Sequence, residues 1–385
     1  MKLKKYIHLD KTINKFLVNI ISFFLIKKKQ NTYFEKKNIK NIIVVKFLGI
    51  GSISRSLGMI NHLKKIFPNS KVSFVTFEEN KSFMKIIKPL DRYYLINKKN
   101  FFLLTIDFFK LIFFLRSKNS ILIDLEVHSY FAKIFCILIN AKLKLGFFIK
   151  EKYFFYDEVF KFEDDIFIEQ NYYSISKFFD KNFKDKIDTF LLLNLSKNLL
   201  SVEKKLNQIN IEKNEKFFVI NINASGLCDE RKWQVDNFTV LIKKLLNLNY
   251  KILLIGSRSE RKKISDLEKK ISSNNNNIFN FAGMTDIGEL FCILKHYRCV
   301  FITCDTGPLH LANIAKCATI SLWGPGTPKS YAENYENHTI IYKNVHCSPC
   351  IYIHIDAPCN GNNICIKNIS VDEVFDESLK LIKKI

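Results

Sequence analysis

Residues 299–312 read Cys299-Val300-Phe301-Ile302-Thr303-Cys304-Asp305-Thr306-Gly307-Pro308-Leu309-His310-Leu311-Ala312. An apolar run ends in an acid, Thr306 and Gly307 supply a turn, and Pro308 stands where the first position of a helix tolerates it. The pattern predicts a strand over 299–303, a tight turn, and a helix over 308–315. Backbone amides at Thr306 and Gly307 would then point beyond the strand end, a setting suited to a diphosphate, with His310 in the first helical turn. Helix capping by Asp305 or Thr306, with His310 merely packed, is the plainer account of the same residues.

The same strand, turn and helix alternation extends outward in both directions. Strands are expected over 217–222, 251–255, 278–281 and 319–322, separated by helices over 235–246, 259–271 and 287–295. Earlier in the chain, Asn41 opens a second series: strands over 42–47, 72–77, 121–125 and 143–148, and helices over 53–66, 101–115 and 130–139. Several of these strands are continuous apolar runs of the kind buried on both faces of a parallel sheet. The expected class is α/β, with two open sheets in tandem. A polar, Lys- and Asn-rich stretch over 195–216, with a helix expected over 201–209, separates them, so the domains are expected at 41–200 and 201–385, preceded by a basic and apolar extension over 1–40. Ligands of such sheets bind beyond the carboxyl ends of the strands, which directs attention to the loops.

Length and composition agree. The chain has 385 residues, 48% of them apolar, which excludes a disordered protein and leaves enough for two cores. A formal charge of +23, from 60 Lys+Arg against 37 Asp+Glu, suits an anionic partner, although Lys, Asn, Ile and Phe are abundant everywhere. The basic residues are dispersed and no nucleic-acid recognition motif is evident, so nucleic acid is not expected as a partner. No apolar run reaches the roughly 20 residues of a membrane span. Two segments could touch a membrane surface. One covers 16–26, between Lys11 and Lys15 on one side and Lys27, Lys28 and Lys29 on the other; the second covers 101–115 and carries Asp107 and Lys110. The first reads equally as an extra helix packed on the folded body. No small-residue cleavage site follows it, so a chain retained in the cytoplasm is expected.

Two further loops are chemically suggestive. Lys46-Phe47-Leu48-Gly49-Ile50-Gly51-Ser52 joins a strand to a helix, and Gly49 and Gly51 would let the backbone approach an anion or a sugar hydroxyl. Its spacing is neither the dinucleotide nor the Walker pattern, and a tight structural turn accounts for it as well. Arg231-Lys232-Trp233 follows the strand over 217–222 after a loop containing Ser225 and Gly226. Its two cations could neutralise a departing phosphate, or could be a solvated basic pair beside a Trp233 anchor.

In order along the chain, these elements resemble glycosyltransferase family 9, the lipopolysaccharide heptosyltransferases. They are the first loop, the strand over 121–125 with Glu126, the Arg231 loop, the Asp305 to Ala312 segment, and Leu322-Trp323-Gly324-Pro325-Gly326-Thr327-Pro328. The resemblance implies a GT-B fold, with two Rossmann-like domains facing a central crevice. It implies an inverting transfer that requires no cofactor or catalytic metal, with a nucleotide-diphosphate sugar held mainly by the C-terminal domain. ADP-heptose would be the donor, and a lipid-linked saccharide of lipopolysaccharide the acceptor, met at the inner membrane surface. By position, Arg231 takes the place of a lysine near the donor phosphates and Lys232 adjoins it. Glu260 matches an acid expected at the ribose hydroxyls, and Asp305, Thr306, Gly307 and His310 match the sugar and diphosphate contacts. Close members of the family place an aspartate, the proposed base, where this chain has Ser52, and a serine cannot take that part unaided. Asp124 and Glu126 end the strand over 121–125, and Glu126 is the substitute base expected here, unless it only holds a neighbouring loop. A nucleotide-sugar epimerase and a non-catalytic sugar-nucleotide binder are the alternatives.

Cys347, Cys350, Cys359 and Cys365 form a C-x2-C-x8-C-x5-C pattern. A structural zinc site, reduced or reversibly bridged thiols, and a redox sensor are all compatible with that spacing. Isolated cysteines such as Cys136, Cys228 and Cys304 sit mostly in apolar segments and read as core.

Overall fold

The computed structural model describes residues 10–24, 35–98, 100–149, 153, 155–184, 189–223, 229–271, 276–351, 358–360 and 362–385. Lys27, Lys28, Lys29, Ser225, Gly226 and Cys228 lie outside them. The chain divides into two compact units, Met1–Asn194 and Leu195–Ile385.

In the first unit, β1 (Asn41–Val45), β2 (Lys71–Phe77), β3 (Arg92–Ile96), β4 (Ser117–Asp124), β5 (Ala141–Phe148) and β6 (Glu158–Lys161) form one sheet. Its order is β3-β2-β1-β4-β5-β6, and the pairings are parallel. The helices of six residues or more described beside it are α1 (Lys15–Phe24), α2 (Ile50–Arg55), α3 (Leu57–Ile66), α4 (Phe101–Leu115), α5 (Tyr130–Leu138) and α6 (Ile168–Phe179). The central strands are apolar because helices cover both faces; Ile42, Val44, Val45, Leu122 and Ile123 are fully buried. Helix α1 is held to the body by Val18 and Ile21, which join the same core cluster as Phe131 and Phe135 of α5.

The second unit repeats this plan with β7 (Phe217–Asn221), β8 (Ile252–Leu254), β9 (Ile278–Asn280), β10 (Cys299–Cys304), β11 (Ala318–Trp323) and β12 (His338–Tyr342). The order β12-β11-β10-β7-β8-β9 is that of the first sheet, counted from β7. Its longer described helices are α7 (Ser196–Asn207), α8 (Val235–Asn247), α9 (Arg261–Ile271), α10 (Ile287–His296), α11 (Gly307–Ala315) and α12 (Val371–Lys384). In a doubly wound sheet the strand order reverses at one point, and the loops leaving the two strands on either side part to leave a ligand crevice. Here those strands are β1 and β4 in the first unit, and β7 and β10 in the second.

The structure departs from the sequence reading at several places. Gly51 and Ser52, read as loop, belong to the short helix α2, and the expected helix over 53–66 is interrupted at Ser56. The stretch over 195–216 contains α7, so the division between the units falls before that helix, ahead of 200/201. Strands β3, β6 and β12 and helices α6 and α12 were not expected.

Candidate active site

At the switch point of the second unit, β7 ends in Asn221 and β10 runs into Asp305. Thr306 precedes α11, but its side chain makes no capping hydrogen bond. Its Oγ1 instead lies 3.0 Å from Thr303 Oγ1 and accepts from Asn221 Nδ2 at 3.3 Å. The structure therefore does not use Thr306 as a side-chain cap, and the helix start keeps its positive end turned outward beyond the sheet. Pro308, lacking an amide, fits the first turn.

Arg231 reaches this turn from a 3-10 segment, Asp229–Arg231, that follows β7. Its Nε is 3.3 Å from Asp305 Oδ2, and both residues are almost wholly buried. Burial raises the Asp305 carboxyl above its ordinary value, and the Arg231 guanidinium pulls it part of the way back. The loop is fixed by Trp233, whose indole Nε1 donates to Ile369 O at 3.0 Å and whose amide donates to Cys304 Sγ at 3.4 Å. Trp233 is 1% exposed and meets Phe238 edge to face, as an anchor should. Lys232, between Arg231 and Trp233, is half-buried.

Two further loops close on the same edge. At Gly326 a Cβ would come within 2.8 Å of Asp305 Oδ2, so a larger residue would have to displace that carboxylate. Glu260 Oε2 accepts from Ser257 N and Ser257 Oγ, each at 2.7 Å. A Cβ built on Gly256 would lie 3.2 Å from Glu260 Oε2 and 3.4 Å from Asn223 Nδ2, which places Glu260 beside the end of β7. His310 is buried in the first turn of α11, with its ring edge to face against Tyr331. Arg231, Glu260, Asp305, Thr306, Gly307 and His310 thus gather at the carboxyl edge of one sheet. Three polar residues that no sequence motif singles out, Asn221, Asn223 and Asn313, lie on or just beyond the same elements. Asn223 Nδ2 and both side-chain polar atoms of Asn313 are buried without hydrogen-bond partners among the described residues, polar capacity that a bound group or water would use. The signal that could have found Asn221 and Asn223 is their place at the end of an apolar strand, where ligands bind.

In the first unit, Gly49 has φ +84°, a conformation that favours glycine, and turns the chain from β1 into α2. Glu126, just beyond β4, is 4% exposed. It accepts from Phe47 N at 2.7 Å, Leu48 N at 2.9 Å and Lys46 Nζ at 2.8 Å. Burial alone would raise its carboxyl, but the Lys46 charge and these donors outweigh burial and hold it below the ordinary range. Three accepted hydrogen bonds are what the loop-holding alternative expects, and protonation would cost the ion pair with Lys46. Asp124, also considered, is fully buried and committed: its Oδ1 accepts Glu126 N at 2.8 Å, and its Oδ2 accepts Lys133 Nζ at 2.9 Å and the Tyr156 hydroxyl. Gly51 is buried, and half-buried Ser52 lies near the buried Tyr172 hydroxyl.

The cysteine-rich segment braces the second-unit site. Cys350 N donates to Pro325 O at 3.0 Å, Ser348 Oγ donates to Gly324 O at 2.6 Å, and a Cβ on Gly324 would lie 3.5 Å from Cys365 Sγ. Cys347, Cys350, Cys359 and Cys365 are all free thiols. Among the described residues no three His, Cys, Asp or Glu side chains are grouped so as to hold a metal, so the zinc reading finds no ligand set there. Residues 352–357 lie outside that description.

Two doubly wound α/β units, the second with a buried arginine beside the start of a helix at its switch point, have the architecture of a GT-B glycosyltransferase. The chain belongs to glycosyltransferase family 9 (heptosyltransferase), whose model matches residues 110–357. It is 26% identical over 224 residues to lipooligosaccharide heptosyltransferase 2 of Campylobacter jejuni subsp. jejuni serotype O:2, covering 54% of this chain and 67% of that protein. Among solved structures, a glycosyl transferase family 9 protein from Veillonella parvula superposes with a TM-score of 0.72 at 16% identity, covering 92% of this chain and 99% of the other. The E. coli ADP-heptose lps heptosyltransferase II superposes with a TM-score of 0.68 at 13% identity, covering 90% and 99%.

Proposed function

We propose that this glycosyltransferase moves a heptosyl group from ADP-heptose to a hydroxyl of a lipid-linked lipopolysaccharide saccharide, with inversion at the anomeric carbon. The observation that carries the reading is Arg231 set against Asp305 at an uncapped helix start, at the switch point of the second sheet. The first amides of α11 and the Arg231 guanidinium receive the diphosphate, and their charge stabilises it as it departs. Lys232 adds a second cation beside it. Glu260 accepts from the ribose hydroxyls, and His310 lies within the same first turn as the amides. The names of the relatives support heptose and ADP as the transferred and leaving groups.

In the first unit, Gly49, Gly51 and Ser52 form the acceptor-side loop. Glu126 acts on it as a positioning residue: it holds Lys46, Phe47 and Leu48 in place while remaining ionised. The acceptor is anchored in lipid, so the enzyme works at the cytoplasmic face of the inner membrane. The test is to incubate the purified chain with ADP-heptose and a heptose-deficient lipopolysaccharide core, following ADP release and the mass of the acceptor. Equal release of ADP with and without acceptor, or isomerised donor with no change in acceptor mass, contradicts the reading.

A further inference from the structure

Helix α4 is apolar nearly all round: only Thr105, Asp107 and Lys110 interrupt it. Half of this is explained by the core, since Leu104, Phe108, Leu111, Ile112 and Leu115 are buried with α5 in one cluster. The other half is not. Phe101, Phe102, Phe109, Phe113 and Phe114 all face solvent, with Phe102 72% and Phe113 78% exposed. Single exposed apolar side chains are ordinary, but five phenylalanines on one short helix make a patch of the kind that marks an interaction surface.

The exposed charges of α4 and of the residues just after it have one sign. Lys110, Arg116 and Lys118 are exposed on the helix and just after it. Asp107, the acid of α4, is half-buried and accepts Asn97 N at 2.8 Å. Helix α1 has the same design: it too packs on α5, with Val18 inside and Phe16, Leu17, Ile20 and Lys15 outside. The neighbouring acid, Asp10, is buried and accepts Tyr130 N at 3.0 Å and Phe131 N at 2.5 Å at the start of α5. Neither helix presents an exposed carboxylate. At ~1.5 Å per residue α4 is about 22 Å long, short of the ~30 Å hydrocarbon thickness, so it can lie along a bilayer but not cross one. Among the described residues no helix is long and apolar enough to cross a membrane.

We propose that the outer faces of α4 and α1 insert into the surface of an anionic phospholipid leaflet, phenylalanines in the acyl boundary and lysines and arginine at the headgroups. This deepens the reading of a lipid-anchored acceptor and rests on it for its purpose, while its evidence is the exposed face itself.

The test is flotation of the full chain with vesicles of phosphatidylcholine alone and of phosphatidylcholine with phosphatidylglycerol. Wild type floats with the anionic vesicles, Phe113→Ser/Phe114→Ser lowers partitioning by about tenfold or more, and Lys110→Glu/Arg116→Glu removes the preference for anionic lipid. Because the substituted side chains are exposed, circular dichroism and turnover of a lipid-free core saccharide stay unchanged. Flotation unaltered by the phenylalanine pair, absence of wild-type flotation, or a wild-type dimer in ultracentrifugation that the pair dissolves would each overturn the proposal. Vesicle binding as expected, with no turnover of any saccharide, would leave the membrane surface standing and remove the acceptor reading.

Discussion

Arg231 Nε stands 3.3 Å from Asp305 Oδ2, although β8, β9 and their helices intervene in the chain. Each holds the other in place: the guanidinium compensates a buried carboxylate, and the carboxylate fixes the guanidinium beside the start of α11. Arg231→Ala should therefore cost both stability and catalysis. An unpaired buried Asp305 is expected to lower stability by about 3 kcal/mol, and loss of the cation at the diphosphate to lower kcat/KM by about a hundredfold or more. Adding Asp305→Asn should restore much of the stability, measured by urea denaturation, and none of the activity.

Glu126→Gln separates loop holding from base catalysis. The buried Lys46 would lose its counter-charge, so unfolding free energy should fall by about 3 kcal/mol at pH 7. The sign with pH follows from the depressed carboxyl: its contribution is complete above the ordinary value of 4.5 and is lost as pH falls through the lower folded value. The stability gap between wild type and variant should thus close below pH 4.5. A positioning role predicts a loss of turnover of about tenfold with the acid limb of the pH–rate profile intact. Disappearance of that limb would show that Glu126 takes the proton.

Ser52→Asp restores a carboxylate to the first turn of α2. We expect kcat to rise by about tenfold or more if this side chain faces the acceptor, since a positioned general base contributes on the order of a hundredfold. An unchanged rate in a folded variant shows that it does not.

Glu260 closes the Ser257 turn, and in the proposed function it also meets the ribose. Glu260→Gln should raise the donor KM by about tenfold with little change in kcat, because charge-assisted hydrogen bonds to the ribose are replaced by weaker ones. Glu260→Ala should add a loss of about 1 kcal/mol in stability, since Ser257 N and Oγ lose their acceptor.

The second-unit site was largely legible in the sequence because its parts are local. An apolar strand, Asp305, a turn and Pro308 specify each other within a few residues, and the rise from strand to helix period is visible directly. What stayed hidden depends on distant partners. Glu126 looks like a free acid at a strand end until Lys46 and the Phe47 and Leu48 amides are seen around it. Asp124 likewise gains its partners, Lys133 and Tyr156, only in the folded chain. The short strands β3 and β6 lie at the sheet edges, where half-exposed positions carry Arg, Tyr, Glu and Lys and blur the apolar run. Helix α6 hides among aromatic residues whose spacing alone does not separate helix from strand.

In the proposed function the second unit grips a nucleoside diphosphate through Arg231 and the start of α11. Calorimetric titration of the full chain with ADP tests it most directly, in wild type and in Arg231→Ala with Asp305→Asn to preserve the fold. One ADP per chain is expected, with at least tenfold weaker binding in the double variant. Equal affinity in the two proteins, or no binding of ADP to wild type, would contradict it.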